Sequence, residues 1–87
     1  MNVQSKIVRD FNTVWNRNAK VPALFVIFDK PTDFPNHFVV RLFYGSAGTP
    51  YCALAKSLSE ARACVPAGLV CLKRSVKDAP CVVESWL

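Results

Sequence analysis

The chain is 87 residues long, enough for one domain with a modest core. Hydrophobic residues make up 52% and charged residues 20%, which excludes intrinsic disorder and leaves few charges to cover a small domain's large surface. The formal net charge is +5, and it is concentrated at the start: residues 1–20 hold Lys6, Arg9, Arg17 and Lys20 against Asp10 alone.

The first predicted element is an amphipathic helix over residues 3–17. Val3, Ile7, Val8, Phe11, Val14 and Trp15 fall on one arc at 3.6 residues per turn, and Lys6, Arg9, Asn12, Asn16 and Arg17 fall opposite. Asparagines at 16 and 18 end it. Residues 1–20 are thus read as a helical arm and residues 21–87 as a single α+β domain. The basic side chains Lys6, Arg9, Arg17 and Lys20 suit nucleic acid or an acidic partner. The apolar stripe, with Ile7, Phe11 and Trp15, suits packing on a sheet or on a second subunit.

Val21 to Tyr44 reads as a β-hairpin and the nucleus of the core. Leu24 to Phe28 is an unbroken run of branched and aromatic residues, and Pro22 is tolerated at the strand start. In the second strand Phe38, Val40, Leu42 and Tyr44 point to the core, and His37, Val39, Arg41 and Phe43 point the other way. The turn between, Asp29 to Asn36, holds Pro31 and Pro35 and exceeds the usual hairpin length. It gathers Asp29, Lys30, Asp33, His37 and Arg41 as the best candidate binding site. The chain has no P-loop, no dinucleotide fingerprint and no nucleophile elbow, so the expectation is a protein without catalytic residues or cofactor.

Gly45 to Pro50 reads as a loop, and Tyr51 to Ala55 as a short edge strand. Ser57-Leu58-Ser59-Glu60 matches a capping box, opening a helix from Leu58 to about Cys64 that Pro66 stops. Gly68 to Lys73 and Cys81 to Leu87 read as a second hairpin; centred near Val76, it sets Cys71 opposite Cys81. Trp86, next to the last residue, is expected to dock on the domain or on a second copy. The four cysteines lack metal-site spacing, and with one histidine, His37, no metal is expected. No apolar run approaches the ~18 residues of a membrane span. The first twenty residues lack a signal-peptide pattern, so reduced thiols in a cytoplasmic protein are expected.

The runs Phe28 to Pro35, Phe38 to Arg41, Ser57 to Arg62, Val65 to Leu69 and Val82 to Leu87 resemble small uncharacterised proteins of proteobacteria. Such proteins travel on mobile DNA: integron cassettes, prophages and plasmids. The resemblance covers residues 24–87. It implies bacterial cytoplasm and accessory cargo, and it brings no activity, cofactor or site residue.

The sequence therefore predicts an α+β fold: an antiparallel sheet of two β-hairpins, with the amphipathic N-terminal helix and one short helix on one face. The expected function is a non-enzymatic binding module, homodimeric through Ile7, Phe11, Trp15 and Trp86 or joined to an unknown protein partner. The alternative is a small basic nucleic-acid-binding or regulatory protein that uses Lys6, Arg9, Arg17 and Lys20.

Overall fold

A computed structural model describes residues 6–9, 11, 14–15, 22–45, 47–73 and 81–87. In chain order the elements are β1 (Lys6–Ile7), β2 (Ala23–Asp29), β3 (Phe38–Tyr44), β4 (Ala47–Ala55), α1 (Leu58–Cys64), β5 (Cys71–Lys73) and β6 (Val82–Trp86). They form an α+β fold with one six-stranded mixed sheet, ordered β1-β4-β3-β2-β6-β5.

The expected central hairpin is there. β2 and β3 pair antiparallel without interruption from Ala23↔Tyr44 to Asp29↔Phe38. The chain reverses through a left-handed Lys30, at φ +48°, whose N–H donates to the His37 carbonyl at 3.0 Å. The second hairpin, β5 with β6, does not stand apart. β6 also pairs with β2, so the two hairpins fuse into one sheet. Fusion satisfies the outer backbone groups of β2, which would otherwise be an open edge in the middle of an apolar run.

Three sequence expectations change. The first is the N-terminal helix. Lys6–Ile7 is instead a strand, the only parallel one among the described residues, paired with β4 through Lys6↔Tyr51 and Ile7↔Cys52. The exposed edge of β4 offers backbone hydrogen bonds that a short, asparagine-rich helix must compete against, and helix nucleation is itself costly. The apolar spacing still does its work. Phe11 is fully buried, and Trp15 closes a turn onto it through an N–H···O=C bond of 2.8 Å. Residues 3–5, 10, 12–13 and 16–17 of the expected helix lie outside the described residues.

The second change is β4. It runs from Ala47, through the expected loop, and it is an interior strand between β3 and β1. A register shift makes room: Thr49, Pro50 and Tyr51 share the span opposite Leu42. Pro50 is tolerated there because the bulge removes the need for its missing N–H. Thr49 secures the bulge, its hydroxyl donating to the Leu42 carbonyl at 2.7 Å. At Gly48 the backbone passes close to the Phe43 ring: a Cβ there would lie 3.3 Å from it, so the ring would have to give by a few tenths of an ångström.

The third change is the second hairpin's register. Cys71 lies opposite Trp86, not Cys81, and β5 is only Cys71–Lys73. A slip of one residue would flip Trp86 and Glu84 away from α1, so the core-facing pattern sets this register. The expected centre at Val76 lies outside the described residues. No disulfide joins any of the four cysteines.

The largest cluster of buried residues lies on one face of the sheet. Phe25, Ile27, Val40, Leu42, Ala53 and Ala55 pack there with Phe11 and with Ala61 of α1. Phe25 meets Phe11 edge-on at 5.0 Å and Trp15 at 5.4 Å between ring centroids. α1 starts at the expected Ser57 cap, with Glu60 reaching back one residue beyond it, to Lys56. Ser57 Oγ accepts from the Glu60 N–H at 3.1 Å, and the Glu60 carboxylate accepts from the Lys56 N–H at 3.0 Å.

Candidate functional site

The opposite face of the sheet follows from the same register. One row crosses all six strands: Leu72, Ser85, Val26, Arg41, Cys52, Ile7. A second holds Val70 and Leu87, which exchange two backbone hydrogen bonds of 3.0 Å, with Leu24 and Phe43 beyond. A third holds Val82, Phe28, Val39 and Leu54. The only polar side chains in these rows are those of Arg41 and Ser85. A one-sided antiparallel sheet ordinarily alternates apolar-in with polar-out. Here the outward set is apolar as well. The exposed large hydrophobics among the described residues are Ile7, Val70, Leu72 and Leu87, all on this face, with Ile7 on one edge strand and Leu72 on the other; between them Val26, Val39, Cys52 and Val82 are buried.

Under the long turn this face deepens into a cleft of about 410 Å³, lined by Phe28, Pro31, Thr32, Asp33, Val39, Arg41 and Cys81. β2 brings Phe28, β3 brings Val39 and Arg41, and the turn folds Pro31 to Asp33 over them. The Asp29 N–H donates to the Cys81 carbonyl at 2.7 Å, which ties the start of the turn to the approach of β6. Arg41 is the charged centre. Its Nη1 donates to the Thr49 carbonyl at 3.1 Å, and its Nη2 meets one oxygen of Asp33 at 3.4 Å. The Arg41 side chain is 17% exposed and that of Asp33 is 55% exposed.

Of the five turn residues expected to form a site, the structure therefore brings Asp33 and Arg41 together in the cleft. Asp29 and Lys30 are exposed and His37 half-buried, and their backbone groups shape the turn. Among the described residues no group of three potential metal ligands comes together. Of the interface candidates, Phe11 is fully buried within the chain, and Trp15 and Trp86 pack against its core. Ile7 is 60% exposed. Lys6 and Arg9 are exposed, whereas Arg17 and Lys20 lie outside the described residues.

A second arginine–carboxylate pair, not foreseen from the sequence, lies on the core face. Arg62 of α1 grips Glu84 of β6 with both branches: Nε to Oε1 at 2.8 Å and Nη2 to Oε2 at 3.1 Å. Trp86 Nε1–H donates to the same carboxylate at 3.1 Å. Arg62 holds the Glu84 carboxyl below its ordinary range; burial opposes this and Trp86 assists. Glu84 raises the Arg62 guanidinium in return. The Cys71 thiol is pushed up, first by desolvation and then by the Glu84 carboxylate beside it. The signal available in the sequence was one charge, Glu84, in an otherwise uncharged final strand.

Comparison with known protein families, with curated proteins and with solved structures finds no match. No helix among the described residues is long and apolar enough to cross a membrane.

Proposed function

We propose that this chain is a small, cytoplasmic, non-enzymatic interaction module that pairs with a second copy of itself through the sheet face opposite α1. The observation that carries this reading is that Ile7, Val70, Leu72 and Leu87, the exposed large hydrophobics among the described residues, all belong to that one face. A two-fold contact needs only a surface that matches itself, and flat apolar sheet faces stack well at about 10 Å. Asp33 accompanies each Arg41, so stacking two faces does not bring two uncompensated cations together. Four unjoined thiols suit a reducing compartment. Carriage as accessory cargo of bacterial mobile DNA rests on the resemblance of residues 24–87.

Sedimentation velocity across the micromolar range tests the pairing. The expected result is a dimer for the unaltered chain and a folded monomer for Leu72→Asp, with circular dichroism confirming the fold. An unaltered chain that stays monomeric throughout sinks the proposal.

A further inference from the structure

The cleft beneath the turn has the size and the rigidity of a small-molecule site. Its volume of about 410 Å³ falls within the roughly 300–1,000 Å³ of ligand pockets. Buried Val39 and half-buried Phe28, directly opposite each other on β3 and β2, give it an apolar base, and Pro31 and Cys81 add to its walls. The turn above is braced. Besides the Lys30 bond to His37, the Phe34 N–H donates to the Pro31 carbonyl at 2.9 Å and the His37 N–H to the Phe34 carbonyl at 3.2 Å. A ligand therefore meets a shape already formed, and little of its binding energy goes into ordering the turn.

The polar end decides what kind of molecule fits. Arg41 is already engaged: its Nη1 donates to the Thr49 carbonyl at 3.1 Å and its Nη2 meets Oδ2 of Asp33 at 3.4 Å. It acts as a wall and holds Asp33 at the rim. The Asp33 side chain is 55% exposed and carries its contact to Arg41 on one oxygen. An ionised carboxylate has about four acceptor positions, so it accepts a further hydrogen bond from a ligand in exchange for water. An anion is repelled by that carboxylate. A cation meets Arg41 beside it and a chain of net charge +5. A neutral donor on an apolar body fits both constraints, and a ring suits walls that include Phe28, Pro31 and a cysteine sulfur. We propose that the cleft binds a small neutral phenol, its ring against Phe28, Pro31 and Val39 and its hydroxyl donating to the Asp33 carboxylate.

Every bond of the Arg41–Asp33 pair stays in place when the ligand enters. The cleft lies at the turn end of the sheet face, over the Phe28–Val39 pair, whereas the Leu24–Phe43 and Val70–Leu87 pairs lie at the other end. The site belongs to one chain and stands whether or not the chain pairs with another copy.

The test is an NMR titration of the full chain with 4-ethylphenol, set against its methyl ether, 4-ethylanisole, and against 4-ethylbenzoate. The expected result is saturable shifts of the Phe28, Thr32, Asp33 and Val39 amides. The phenol binds roughly tenfold more tightly than the ether, the gain from one hydrogen bond to a charged acceptor, and the benzoate binds more weakly than the phenol. Asp33→Ala, at an exposed position, brings the phenol down to the level of the ether. A cleft that takes up any apolar molecule predicts equal binding of phenol and ether instead. That equality, tighter binding of the benzoate, no shifts at these amides, or a preference for the phenol that survives Asp33→Ala overturns the proposal. The phenol and ether compared on the unaltered chain decide the matter even if Asp33→Ala fails to fold.

Discussion

On one face of the sheet Phe25 is fully buried beneath Phe11 and Trp15. On the other face, Leu24 and Val26, its chain neighbours, stand in rows that also carry every exposed large hydrophobic among the described residues. The two faces are close in composition and differ in what covers them. The core face has α1 and the Phe11–Trp15 turn; on the opposite face the inner Val26, Val39, Cys52 and Val82 are buried too, and the exposed apolar side chains are Ile7, Val70, Leu72 and Leu87. Each face also carries an arginine–carboxylate pair. The covered face holds the closed one, Arg62–Glu84, and the open face holds the loose one, Arg41–Asp33. An apolar surface is thus not by itself a core, and an ion pair is not by itself a clamp. Cover and geometry decide both.

The largest expected effect tests the faces directly. Phe25→Ala removes a fully buried ring and lowers stability by about 3–5 kcal/mol. Leu72→Asp, on the open face, changes the stability of the single chain by less than about 0.5 kcal/mol. Denaturant unfolding of both variants at low protein concentration checks this, and equal losses break the distinction.

The ion pairs come next. Glu84→Gln leaves the Arg62 and Trp86 donors facing a neutral amide and costs about 1.5–3 kcal/mol at pH 7. The pH dependence has a definite sign. The Glu84 carboxyl lies below its unfolded value, so its contribution is complete above the ordinary glutamate range. It is lost as pH falls through the lower folded value. Urea midpoints measured from pH 7 down to pH 3 therefore fall less steeply in Glu84→Gln than in the unaltered chain. Parallel curves would show that the clamp contributes nothing.

The smallest effect belongs to the loose pair. Asp33→Asn alters stability by less than about 1 kcal/mol, as exposed pairs do. A larger loss in the same urea titration would make Arg41–Asp33 a structural clamp and bring the two faces closer together.

Much of the frame was legible in the residues. The alternation from Phe38 to Tyr44 identified which side chains enter the core, since side-chain direction in a strand has period two. Ser57 and Glu60 marked the start of α1 because capping is local chemistry. The site was legible in part. Arg41 and Asp33 were among the candidates, whereas Phe28, Pro31, Thr32, Val39 and Cys81 joined them only through the fold of the turn. The helical spacing of Ile7, Phe11 and Trp15 recorded which residues are apolar, but not that Lys6–Ile7 takes a strand edge instead.

By itself, then, the sequence determined local geometry: the β2–β3 hairpin, the cap of α1 and the inward pattern of the strands, all set by contacts within a few residues. Tertiary structure alone decided long-range partnership. It joined β6 to β2, placed β1 beside β4, set Cys71 opposite Trp86 and brought Arg62 to Glu84. Those choices depend on which free edges and uncovered faces remain once the hairpin has formed, and no local spacing encodes that competition.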